Sequence, residues 1–257
     1  MAYFTGSIRS KVLGMDTQLN LILPDRDQLE EAPLRVLYLL HGIAGNSTSW
    51  TRFTSIERYA QDRNFVVIMP EVQRSFYQDL KYGLSYFTYV SEELPRICRR
   101  LFHIEPIRSR TYVAGLSMGG YGAMRVGLSR PDLFAGIGSF SGAVDIRQIA
   151  RETLEGGNES LIREFTAMAG EGLEVTEESD IYYLLDQAAK LGPAKRPKFY
   201  ISCGFQDFLY SMNTAMKQYM EALPLELRYM DWEGAHSWDF WDRSIVHCMD
   251  YFMEDEV

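Results

Sequence analysis

Short, unbroken apolar runs recur along this chain, and segments of helical periodicity separate them. Arg35-Val36-Leu37-Tyr38-Leu39-Leu40 ends at His41-Gly42, and Phe65-Val66-Val67-Ile68-Met69 is stopped by Pro70. Further runs cover residues 111–114, 134–140 and 199–203. A strand with apolar residues at consecutive positions must be covered on both faces, as in a parallel sheet between helical layers. Residues 227–232 alternate instead, as an edge or half-buried strand does. Residues 3–9 and 18–23, the latter closed by Pro24, read as an antiparallel pair.

The periodicity predicts helices over 49–63, 89–102, 121–128, 208–223 and 238–253. The last repeats apolar residues at 238, 241, 245, 249 and 252. Pro95 is expected in an early turn of its helix or at a kink. Strand then helix, repeated, defines an α/β chain with a mainly parallel central sheet flanked by helices. The 257 residues fit one domain, 1–257. Residues 145–192 separate two strands by more than a single crossover needs. They carry helical patterns at 146–153, 159–168 and 181–190, so a helical insertion is expected before the strand at 199. Such an insertion is either a surface decoration or a lid or substrate wall, since sites of open sheets lie beyond the carboxyl ends of the strands.

The formal charge is −9, which argues against nucleic acid or an anionic membrane as partner, because both demand a basic face. The three cysteines, Cys98, Cys203 and Cys248, are widely spaced, so neither a disulfide framework nor a zinc site is expected. No metal and no cofactor motif is legible. No apolar run is long enough to span a membrane, and the first residues lack the pattern of a secretion signal. A cytoplasmic protein is the expectation.

One apolar run, Thr111-Tyr112-Val113-Ala114, leads into Gly115-Leu116-Ser117-Met118-Gly119-Gly120. The pattern G-x-S-x-G alone is weak, arising by chance about one time in ten in a chain of this size. Its context, after a strand and before a helix, is that of a nucleophile elbow. A serine hydroxyl needs a base. Of the four histidines, His103 ends a helix, His247 lies inside one, and His41 shapes the loop after its strand. His236 lies between the last strand and the last helix, where a loop can carry it over the sheet. The orienting acid is expected at Asp207, in the order Ser, Asp, His that this arrangement uses. Asp145 is its rival, while Asp239 and Asp242 fit the first turn of the last helix. The N–H of Met118 and that of Ile43, in His41-Gly42-Ile43-Ala44-Gly45-Asn46, are the expected oxyanion donors. Together these residues point to acyl transfer to Ser117 and hydrolysis of a small-molecule ester.

The glycine loop with Trp50, the run GLSMGGYGAM, Cys203-Gly204 to Asp207-Phe208-Leu209, and Gly234-Ala235-His236-Ser237-Trp238 resemble the esterase D-like group of α/β-hydrolases. The likeness is greatest to bacterial tributyrin esterases. Arg74 to Asp79, Tyr86 to Tyr89 and Glu92 to Pro95 add to it. The resemblance implies an α/β-hydrolase fold, short-acyl carboxylesterase activity and a homo-oligomer of unspecified size. The group also holds feruloyl and acetylxylan esterases, mycolyltransferases and S-formylglutathione hydrolases. The last usually show a Thr-Cys pair where this loop reads Ile43-Ala44-Gly45, which disfavours their substrate. An acyltransferase and a non-catalytic binding module are the rival readings. Among aromatic residues, Trp50, Phe76, Tyr77 and Trp238 are candidates to wall the substrate pocket. The competing reading is plain packing, with Trp238 anchoring the histidine loop.

Overall fold

The computed structural model describes residues 1–25, 34–157 and 159–254. The strands are β1 (Ala2–Arg9), β2 (Asp16–Leu23), β3 (Arg35–Leu40), β4 (Phe65–Pro70), β5 (Thr111–Leu116), β6 (Gly136–Phe140), β7 (Lys198–Gly204) and β8 (Leu227–Trp232). They form one eight-stranded sheet in the order β1-β2-β4-β3-β5-β6-β7-β8. From β4 to β8 neighbours run parallel, while β1 and β2 add an antiparallel edge.

The apolar runs are explained by the two cores. Along β3, Val36, Tyr38 and Leu40 face one core, and Leu37 and Leu39 face the other. The second core is covered by α1 (Ser49–Phe53), α2 (Ile56–Asp62) and α10 (Trp238–Met253). The first is covered by α3 (Tyr86–Thr88), α4 (Leu94–Phe102), α5 (Met118–Ser129) and α9 (Tyr210–Glu221). Between β6 and β7 lies the insertion, with α6 (Ile146–Gly156), α7 (Glu159–Ala169) and α8 (Ile181–Ala189), on the same side of the sheet. Edge strand β8 is only partly buried, which accounts for its alternating sequence.

Two helices differ from their sequence patterns for local reasons. The pattern over 49–63 is split into α1 and α2. The Thr54 hydroxyl donates to the Trp50 carbonyl and accepts the Ile56 N–H, offering the backbone an alternative to the helical ladder. The pattern over 89–102 begins earlier, at Tyr86, and runs through a π-helical turn, Tyr89–Glu93, just before Pro95. That widened turn falls where proline has no N–H to donate.

The direction of winding reverses between β3 and β5: from β3 the chain proceeds to β4 on one side, and from β5 to β6, β7 and β8 on the other. The crevice beyond such a reversal is where open α/β sheets bind ligands. The loops after β3 and β5 both open into it.

Candidate active site

Ser117 stands between the last residue of β5 and the first of α5, at φ 55 and ψ −119. An L-residue rarely adopts this conformation, and its cost is sustained by surrounding bonds. The Ser117 N–H donates to the Phe140 carbonyl at 2.9 Å, and the Ser117 carbonyl accepts from Gly120, Tyr121 and Ala143. Gly119 makes the turn feasible. A Cβ there would lie 2.5 Å from the Leu40 carbonyl oxygen and 2.7 Å from that of His41.

His236 reaches this turn from the loop between β8 and α10. Its Nε2 lies 3.0 Å from Ser117 Oγ, and its Nδ1 lies 2.9 Å from Asp207 Oδ2 and 3.1 Å from Oδ1. Asp207 follows β7 and is 5% exposed. Burial pushes its carboxyl upward. Hydrogen bonds from His236, the Leu209 N–H and the Ser141 hydroxyl outweigh that and hold it below the usual carboxylate range. The imidazole is flanked by Phe208 at 4.6 Å and by the perpendicular ring of Trp241 at 4.8 Å. One nitrogen thus faces a carboxylate and the other a hydroxyl, the arrangement that lets an imidazole take a proton from the hydroxyl.

The rival acid serves elsewhere: Asp145 caps α6, accepting the Gln148 N–H at 2.8 Å. Asp242 bonds the Ser55 N–H and the Tyr59 hydroxyl, tying α10 to α2. His103 ends α4 in the left-handed conformation, and His247 lies in α10 against Trp232.

Met118 is the first residue of α5, so its N–H has no intrahelical acceptor. The Gly42 carbonyl is held on the other loop, 2.9 Å from His41 Nδ1 and 3.0 Å from the Gly45 N–H. In a trans peptide the next N–H points opposite to that carbonyl, so the Ile43 N–H is turned away from His41. Ile43 lines the cleft beside Ser117, whereas the Met118 side chain is buried in the first core.

The cleft is small, about 260 Å3, below the ~300–1,000 Å3 typical of sites for drug-sized ligands. Ser49, Phe53, Leu116 and Trp238 wall it beside Ser117 and His236. Of the four aromatic candidates, only Trp238 lines it. Trp50 is buried beneath, with its indole N–H on the Leu40 carbonyl. Tyr77 is fully buried with its hydroxyl on the His41 carbonyl, and Phe76 packs against Tyr121 and Phe165. All three are drawn into packing by the close fit of the loop after β4 and of α1 to the sheet.

No residue of 145–192 lines this cleft among the described residues. A larger cavity of about 570 Å3 opens at the amino ends of the strands. Its Arg108 and Arg196 are hydrogen-bonded to backbone carbonyls, and it lies away from Ser117. No helix of the described residues is long and apolar enough to cross a membrane.

Sequence reasoning missed Ser141 and Phe53. Ser141 is fully buried just after β6, where it helps to hold the Asp207 carboxyl down, and it accepts the Trp241 indole N–H at 3.1 Å. No local signal marks it, because its partners come from β7 and α10. Phe53 reads as an ordinary helix residue.

A mainly parallel sheet with a serine on a strained strand-to-helix turn at its switch point defines an α/β-hydrolase. The family model Esterase, described as "Putative esterase", matches residues 10–250. An acetyl esterase of Caldicellulosiruptor saccharolyticus is 31% identical over 261 residues, covering 98% of each chain. Among solved structures, substrate-bound FphF, a fluorophosphonate-binding serine hydrolase of Staphylococcus aureus, is similar with TM-score 0.86 and 33% identity over 99% of both chains. S-formylglutathione hydrolase FrmB of the same organism has TM-score 0.85 and 32% identity, over 98% of this chain and 99% of its own. The chain belongs to this esterase family and is a carboxylic ester hydrolase.

Proposed function

We propose that the chain is a serine carboxylesterase that hydrolyses small, short-acyl esters through an acyl-enzyme. The observation that carries this reading is the continuous chain from Ser117 Oγ through His236 to Asp207, with contacts of 3.0 and 2.9 Å, on a strained turn. Ser117 Oγ attacks the ester carbonyl carbon while His236 Nε2 takes its proton. Asp207 fixes the tautomer and stabilises the imidazolium. The N–H groups of Met118 and Ile43 receive the developing oxyanion, helped by the positive end of α5. Collapse breaks the bond to the alcohol oxygen, which takes the proton from His236. Water, deprotonated by the same nitrogen, then attacks the acyl carbon, and the acid leaves.

The small cleft and the acetyl esterase relative support a short acyl group. The test is hydrolysis of p-nitrophenyl esters from acetyl to octanoyl, with labelling by a fluorophosphonate probe, in wild type and Ser117→Ala. The variant is expected to fold, to lose about 10⁴-fold or more in kcat, and to take no label. Retained turnover in Ser117→Ala would sink the mechanism. The similarity to an S-formylglutathione hydrolase favours a second reading, a thioesterase on the same residues. A kcat/KM for S-formylglutathione far above that for every oxygen ester would establish it instead.

A further inference from the structure

We propose that the acyl chain is received between α1 and the start of α10, and that Phe53 sets its maximum length. This rests on the reading of Ser117 as the acyl-accepting nucleophile. His236 Nε2, 3.0 Å from Ser117 Oγ, must protonate the leaving oxygen. The alcohol portion therefore lies on the His236 side, where Phe208 is 74% exposed and the cleft is open. The oxyanion lies toward Ile43. What remains for the acyl substituent is the part of the cleft beside α1, walled by Leu116 and Ser49, both buried, and by Phe53.

That part is bounded by a stacked aromatic pair: the Phe53 and Trp238 rings lie 4.9 Å apart at 25°. The two members differ in how firmly they are held. Trp238 packs edge-on against Trp50 and Trp241, each at 5.3 Å, and both of those are buried with their indole N–H groups bonded. Phe53 is the last residue of a five-residue helix, half exposed, with the Arg52 guanidinium over its ring. Removing its ring opens that part to solvent and leaves the second core intact. From the insertion, by contrast, Glu164 pairs at 2.8 and 3.0 Å with Arg74, which contacts the Ile43 carbonyl at 3.4 Å.

The experiment compares kcat/KM for p-nitrophenyl acetate through decanoate in wild type, Phe53→Ala, Phe53→Trp and Glu164→Gln. Wild type is expected to fall steeply beyond butyrate. Phe53→Ala is expected to raise the octanoate-to-acetate ratio about tenfold or more, since the ring no longer blocks the longer chain and a methylene admitted or excluded is worth about tenfold or more. Phe53→Trp is expected to lower butyrate and hexanoate while sparing acetate. Glu164→Gln is expected to keep the wild-type profile. An unchanged profile in both Phe53 variants, or a shift produced by Glu164→Gln alone, overturns the proposal. A wild type inactive on every ester, or undiminished activity in Ser117→Ala, would instead overturn the reading on which it rests.

Discussion

Glu71 braces the glycine loop from behind. One of its carboxylate oxygens accepts the Ser47 N–H at 3.0 Å, and the other accepts the Gln73 N–H at 2.8 Å and lies 3.6 Å from His41 Nε2. Burial raises the carboxyl, but His41 and the two N–H donors prevail and bring it from 4.5 to about 2. Because the folded value is depressed, the resulting stability is fully present above pH 4.5 and is lost as pH falls toward about 2. Glu71→Gln is therefore expected to cost about 1.5–3 kcal/mol at neutral pH, with the gap to wild type narrowing in acid. Urea unfolding of both proteins at pH 7, 4 and 3 checks this; a gap of constant size would count against it. At this scale Ser117, Asp207 and His236 were legible, because each sits at the end of a recognisable strand or between strand and helix. Ser141 and Phe53 were not, because their partners are supplied by strands and helices distant in sequence. Trp50, Phe76 and Tyr77 carried no mark of facing a core rather than a cleft.

Pairs of loops, rather than single ones, set the geometry between His236 and Asp207. Gly204 ends β7, and a Cβ there would lie 2.1 Å from the Gly234 carbonyl oxygen. The Gln206 N–H donates to that same carbonyl at 3.0 Å, while the Gln206 side-chain carbonyl accepts the Gly234 N–H at 2.7 Å. The turn that bears the acid is thus laced to the loop that bears the histidine. Gly204→Ala should lower stability by about 1–3 kcal/mol through overpacking. It should also reduce kcat by about 10²-fold, because a displacement near 1 Å at a reacting group costs that much. Thermal unfolding and steady-state kinetics separate the two effects; a destabilised variant with wild-type kcat would show that the spacing is set elsewhere. Helix α10 was legible end to end because its apolar spacing never breaks. The split between α1 and α2 was not, since one threonine hydroxyl decides it, and neither was the π-helical turn before Pro95.

The site exists only when the sheet is complete, since its side chains follow β5, β7 and β8. Loss of esterase activity and loss of near-UV circular dichroism in urea should share one midpoint. An activity midpoint well below the structural one would place the site on a unit that unfolds separately. The parallel sheet was legible from consecutive apolar residues, which only two covered faces explain. The strand order was not, because it depends on which side of β3 each crossover returns, and no local pattern records that. The insertion at 145–192 was legible as helices, but its distance from the cleft was not. That placement divides the molecule along the sheet. Helices α6, α7 and α8 rest on one face, while the wall made by α1 and α10 belongs to the other. If the proposed acyl site holds, the insertion and the acyl wall can be altered independently, because no described residue of the insertion lines the cleft.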